Sequence, residues 1–353
     1  MSRSVLQRLR RQAVSFSLGA PASLPRAMER LGFVQADPIR APARAQDLIL
    51  RHRVKNYRTG DLERRYPKLA LEEDVLYAYG FMTRDVWRLL HRTNRASLSK
   101  LEKQVLGAVR ELGDVHPQEL DDRVGRARVT NAWGGISKAS KRALESLHRR
   151  GLLRVARRQS GIRVYELASA PDEQLEAPAR LRQLVLLVAD IFAPSPIARL
   201  SAALAPLRRR GIADARTCRR TLAELMDSGE LRRTELGDTT YVWPARRRAG
   251  AVHETLRFLA PFDPIVWDRE RFEKLWGWAY RFEAYTPPAR RVRGYYAMPL
   301  LWRDDVIGWV NLTRSDGELD VEVGFAKKRP RSRAFSTQLD AEVERVRSFL
   351  QPR

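Results

Sequence analysis

The sequence predicts an α+β protein: tandem winged helix-turn-helix units, three in number, followed by a small C-terminal antiparallel β-barrel or sheet. Three observations carry this reading. A helix-glycine-hairpin segment occurs twice at a constant offset of 78 residues. A change of texture after Trp243 brings clustered aromatics and prolines. Finally, 66 Lys and Arg stand against 42 Asp and Glu, a net charge of +24 on 353 residues. That length suits two or three domains of ordinary size.

The elements follow in order. Residues 1–96 form the most divergent unit. Ser4–Ser15 reads as a helix, Ser23 as the N-cap of a second one with Pro25 in its first turn, and Gly32 as its close after Met28 and Leu31. Phe33–Asp37 reads as a strand. Residues 97–172 form the next unit, with a helix over Ser99–Leu112, a short helix opened by Pro117, and a third carrying Leu144 and Leu147. Gly151 closes that helix, and strands Leu152–Arg157 and Ile162–Leu167 follow. Residues 173–248 repeat the plan: Ala179–Phe192, a helix opened by Pro196, a helix with Leu222 and Leu225, Gly229, then Glu230–Thr234 and Thr239–Trp243. Residues 249–353 read as the β-rich domain, with strands Gly294–Leu301, Asp305–Thr313 and Glu318–Gly324 and a turn over Ser315–Gly317. A closing helix, Thr337–Leu350, places Leu339, Val343, Val346 and Leu350 on one face. Trp276, Trp278, Tyr280 and Phe282 alternate as in a strand and are expected in the core, as are Phe262 and Trp267.

The charge points to a polyanionic partner, double-stranded DNA first and an anionic membrane surface second. A single cysteine, Cys218, excludes an intrachain disulfide framework and a multi-cysteine zinc site. Five scattered histidines show no metal-ligand spacing. The basic N-terminus lacks the apolar run of a signal peptide. No apolar stretch approaches the roughly 20 residues of a membrane span. The expected setting is the cytoplasm, at the nucleoid.

A winged helix lays its third helix in the major groove and its hairpin on the backbone. In the first full copy that assigns Lys138, Lys141 and Arg142 to the helix, and Arg154, Arg157, Arg158 and Arg163 to the hairpin. Arg40, Arg44, Arg51 and Arg53, on the basic stretch after Asp37, are further candidate DNA contacts. Gln35 and Asp37 stand two apart on a strand and so share a face. An amide can hold a water and a carboxylate can activate it. The bland alternative is a solvated glutamine and an aspartate capping the turn at Pro38.

Three stretches together resemble the AlkZ/YcaQ family of bacterial DNA glycosylases. They are Leu31–Ile39 with Arg44–Arg53, the tandem repeat, and Leu259–Arg269 continuing through Tyr280-Arg-Phe-Glu-Ala-Tyr to Gly294–Leu301. The resemblance implies three winged helices and a small β-barrel around DNA. It implies excision of N7-alkylated purines, interstrand crosslinks included, with Gln35 and Asp37 matching the Gln-x-Asp form of the catalytic motif. An N7-alkylated base is a good leaving group, so neither a nucleophilic lysine nor a cofactor or metal is needed. The expectation is a monofunctional hydrolase without AP-lyase activity that works as a monomer, with no membrane and no obligate protein partner. Two departures leave the substrate open: Val75–Met82 stands where many members have Trp-x-His-Glu-Ala, and Gln46-Asp47 where many have His-His. The alternative is a non-enzymatic winged-helix DNA-binding protein or regulator.

Overall fold

The repeated segment folds the same way twice. Helices Ala139–Arg149 and Ala215–Asp227 each bury their two repeat leucines, Leu144 with Leu147 and Leu222 with Leu225. Each chain then passes through a glycine in the left-handed region, Gly151 at φ 70° and Gly229 at φ 75°. An antiparallel hairpin follows in both: Leu153–Gln159 with Ile162–Leu167, and Leu231–Leu236 with Thr239–Pro244. A third segment also pairs with each hairpin, as a single bridge in the first copy and a two-residue strand in the second. Val115 bridges Tyr165 in the first copy, and Pro196 pairs with Tyr241 in the second. The computed structural model describes residues 2–91, 97–124, 128–130, 136–169, 175–315 and 318–351. The expected boundaries at 96 and 172, and the expected turn residues Asp316 and Gly317, lie outside the described residues.

The chain forms two compact units. One comprises Met1–Leu62, Leu76–Gly80 and Leu181–Arg353; the other comprises Glu63–Val75 and Phe81–Arg180.

In the larger unit, helix Ser2–Ser17 buries Leu9, Ala13, Val14 and Phe16 at helical spacing. These join Tyr241, Trp243, Leu259, Phe272, Trp276 and Val306 in one core. Helix Leu24–Leu31 begins as expected after Ser23, but the serine side chain makes no capping bond, so Pro25 in the first turn is what marks the start. The expected strand Phe33–Asp37 is shorter, Phe33–Gln35. It runs against Tyr79 and Gly80 so closely that a Cβ on Gly80 would sit 2.2 Å from the Val34 carbonyl oxygen. Behind it, Phe33, Tyr77, Trp267 and Phe192 form a ladder of rings 4.5–5.1 Å apart.

The C-terminal part is a four-stranded antiparallel sheet curled into half a barrel, in the order Leu256–Phe258, Met298–Trp302, Asp305–Ser315, Glu318–Phe325. The first strand, three residues long, was below the resolution of alternation in the sequence. The strand expected from Gly294 begins only at Met298. The aromatic run before it is not a strand: Trp276 ends helix Arg269–Trp276, and Trp278 follows its glycine cap. Trp276 and Tyr280 are buried, whereas Trp278 and Phe282 are half-buried. Helix Arg333–Leu350 buries Phe335, Glu342, Val346 and Phe349. The inward stripe is thus rotated from the expected one, because Arg51 draws Glu342 inside.

In the smaller unit the capping box of Ser99 and Glu102 opens helix Lys100–Leu112. Strand Leu71–Val75 carries three consecutive buried acids, Glu72, Glu73 and Asp74. Acidic residues are poor strand formers, and here each is held by a partner. Glu72 takes Arg84 and Arg154 at 2.9 Å, Glu73 takes Arg158 at 2.6 Å, and Asp74 takes His91 at 2.5 Å.

Candidate active site

The strand Phe33–Gln35 delivers Gln35 half-buried, with its amide Oε1 buried and without a hydrogen-bond partner. The strand stops there, so the alternation of a strand does not place Asp37. A turn does: the Asp37 Oδ1 accepts the Ile39 N–H at 2.9 Å across Pro38, which is an Asx turn. The Gln46 side chain accepts the Asp37 N–H at 3.4 Å. The Asp37 carboxyl therefore has one oxygen engaged locally. Burial pushes its pKa above the ordinary value, and the Ile39 N–H opposes the shift only in part.

Tyr296, two residues before strand Met298–Trp302, is buried and its hydroxyl lacks a partner. Burial first, and the charge of Asp37 next, raise its pKa well above the ordinary value. No sequence signal singled it out, since Tyr295-Tyr296 reads as one more aromatic pair.

The basic residues divide into two sets. Arg51 and Arg53, expected at phosphate, are held in buried ion pairs. Arg53 is fully buried in a two-pronged pair with Asp263 at 2.8 and 3.0 Å, and Arg51 bonds the buried Glu342 at 2.6 Å. Both tie helix Ala45–Leu50 to distant parts of the unit. His52 between them donates a ring N–H to the Phe258 carbonyl at 2.9 Å, and burial with Arg51 nearby holds its pKa well below the ordinary value. Asp47 accepts the Tyr57 hydroxyl at 2.7 Å and the Gly60 N–H at 3.1 Å, which is a structural role.

The expected DNA-contact cations of the first full copy also meet acidic side chains. Arg154 and Arg158 are anchored on Glu72 and Glu73, Arg163 lies 3.9 Å from Glu73, Arg157 pairs with Asp114, and Lys138 with Asp121. Of these, Arg157 and Lys138 keep exposed side chains. Lys141, Arg142 and Arg40 are exposed, and Arg44 is half-buried at the start of helix Ala45–Leu50. The second copy differs: Arg219, Arg232 and Arg233 are exposed with no acidic partner among the described residues. The sequence holds this signal, because the copies align, although the first copy is the more densely charged. Near Tyr296 the chain also exposes large apolar side chains, Tyr285 at 80% and Val292 at 77%, with Arg291 stacked 5.1 Å over Tyr295.

A family model matching residues 28–349 places the chain among the DNA glycosylases. The chain belongs to the AlkZ-like DNA glycosylase family. Among solved structures it is similar to the DNA glycosylase AlkZ of Streptomyces sahachiroi, with a TM-score of 0.62, 16% identity and 98% of each chain covered. At that identity the likeness concerns the fold.

Proposed function

We propose that this chain hydrolyses the N-glycosidic bond of N7-alkylated purines in double-stranded DNA, interstrand crosslinks included, with Gln35 and Asp37 handling the water. The observation that carries the proposal is the buried, unpartnered Gln35 Oε1, two residues along the chain from a carboxyl whose pKa burial has raised. A base is most effective when its pKa lies near the working pH. In the reaction the water oxygen bonds to C1′ and its proton passes to Asp37. The C1′–N9 bond breaks, and its electron pair neutralises the cationic base. The products are an abasic sugar bearing a 1′-hydroxyl, a neutral 7-alkylpurine and a protonated Asp37. The negative charge of Asp37 also stabilises the sugar while it carries positive charge. No lysine takes part, so the strand is left uncut and AP-lyase activity is absent; no cofactor or metal enters.

The same proposal reads residues 97–172 and 173–248 as winged helices, a third in residues 1–96, and residues 249–353 as the β-rich domain. The protein acts as a monomer at the nucleoid, with no obligate protein partner. Phosphate contacts fall to the exposed cations Arg40, Lys141, Arg142, Arg219, Arg232 and Arg233. The exposed Tyr285 and Val292 supply apolar surface of the kind that enters between base steps.

The test is release of free 7-alkylguanine from mustard-treated duplex, scored on monoadducts and crosslinks separately. Release by the wild type is the expected result. Duplex binding without release of either kind would leave only the alternative, a non-enzymatic DNA-binding protein or regulator.

A further inference from the structure

Around strand Leu256–Phe258, four arginines share two carboxylates. Arg51 and Arg345 both bond Glu342, at 2.6 and 2.8 Å, and Arg53 takes Asp263 at 2.8 Å. The Phe258 and Ile265 N–H groups also donate to these two acids. Arg257 is left without either acid. It is half-buried, makes one hydrogen bond, from Nη1 to the Thr255 hydroxyl at 2.7 Å, and forms no ion pair among the described residues. Burial holds its pKa below the ordinary value. Glu342 opposes that shift, and Arg53, Arg345 and Arg51 add to it. A guanidinium withdrawn from water is costly unless an anion meets it.

Arg257 lines a cavity of about 150 Å³ between the end of helix Ser2–Ser17 and segment 250–253, with Leu18 and Gly19 also on its wall. That is room for about five waters. It lies below the roughly 300 Å³ at which pockets for organic ligands begin. A nucleotide is too large for it, whereas a single tetrahedral oxyanion fits. Carbonyls at a helix end repel an anion, but here other arginines already take them. Arg247 donates to Phe16 at 3.3 Å, Arg53 to Ser17 at 3.0 Å and Arg30 to Ala20 at 3.1 Å. Arg30 also lies against the cavity wall, since a Cβ on Gly19 would sit 2.7 Å from its Nη1. Gly250, Ala251 and Val252 line the cavity too, and each has a backbone N–H that no acceptor takes among the described residues. His253 adds an imidazole.

We propose that this cavity is a binding site for one phosphate group, with Arg257 as its principal cation and the N–H groups of Gly250, Ala251 and Val252 as further donors. Inorganic phosphate and a backbone phosphate of DNA present the same oxygens to these groups. The site goes beyond base excision and uses neither Gln35 nor Asp37.

The probe is inorganic phosphate, titrated into the full chain against chloride at constant ionic strength, with calorimetry and Tm as readouts. The expected result for the wild type is saturable binding at one site and a rise in Tm. Arg257→Gln should abolish both. Its Tm in chloride should be unchanged or higher, because an uncompensated cation is gone, whereas loss of a structural arginine would lower it. Ala251→Asp brings a carboxylate to the cavity wall. It should raise Tm in chloride and block phosphate, and it decides the matter if Arg257→Gln does not fold. Absence of saturable binding to the wild type, or equal binding in both variants, overturns the proposal. Undamaged duplex then distinguishes the sources. A salt slope reduced by about 1 in Arg257→Gln, with phosphate competing against duplex, identifies a backbone phosphate. An unchanged slope, with phosphate and duplex bound together, identifies the free anion. None of these readouts depends on excision, so the site stands or falls apart from the glycosylase reading.

Discussion

Asp37, the proposed base, shows how burial ties a carboxyl's protonation to the stability of the fold. Burial raises its pKa, so the folded chain binds this proton more tightly than the unfolded chain does. The contribution to stability is present at low pH and is lost as pH rises through the folded value. Activity runs the other way, because the base must be ionised. The excision rate should therefore fall as pH drops through the raised Asp37 pKa, while Asp37→Asn, uncharged throughout, should keep or slightly raise Tm at neutral pH. A thermal melt and a pH-rate profile check both. Arg53 is the opposite case. Its pair with Asp263 is fully buried, and removing one partner strands the other charge. Arg53→Met should cost about 3–5 kcal/mol in urea unfolding. Sequence reading placed Arg53 among DNA contacts because its partner lies 210 residues away, and no local pattern announces such a pair. Gln35 stands on the expected strand, but Asp37 is set by a turn beyond its end, which spacing alone did not foresee.

At the scale of elements, what repeats locally was readable. Leucines three apart, then glycine, then alternating residues describe a helix, a left-handed cap and a hairpin, and all formed within a few residues of the expected bounds. The strand Leu71–Val75 was not readable, because a run of three acids opposes strand formation until arginines from another hairpin neutralise it. The two cap glycines separate backbone strain from crowding. At Gly229 an added Cβ would meet nothing within 4 Å, whereas at Gly151 it would lie 2.8 Å from the His91 Cβ. Gly229→Ala should cost only the left-handed backbone penalty, about 1–2 kcal/mol. Gly151→Ala should cost clearly more, because the obstructing atom is close to the backbone and cannot rotate away. Equal losses in denaturant melts would contradict that geometry.

For the whole molecule, the +24 charge foretold a polyanionic partner but not which arginines meet it. Ion pairs withdraw Arg51, Arg53, Arg154 and Arg158 from the surface. If the six exposed cations assigned above neutralise phosphates, log K should fall against log salt with a slope of about −5. Arg232→Ala with Arg233→Ala should reduce that slope by about 2, with Tm unchanged. Arg158→Ala should instead lower Tm and leave the slope alone, since it uncovers the buried Glu73. These titrations separate cations that face DNA from cations that hold the fold.

The central claim is that Asp37 and Gln35 together activate and hold the water that cleaves the glycosidic bond. Single-turnover release of 7-methylguanine from a duplex, compared among wild type, Gln35→Ala and Asp37→Asn at equal duplex occupancy, tests it most directly. The account predicts a loss of about 10²–10⁴-fold for Asp37→Asn, and a marked loss for Gln35→Ala, with DNA affinity retained by both. Wild-type rates in either variant would contradict it.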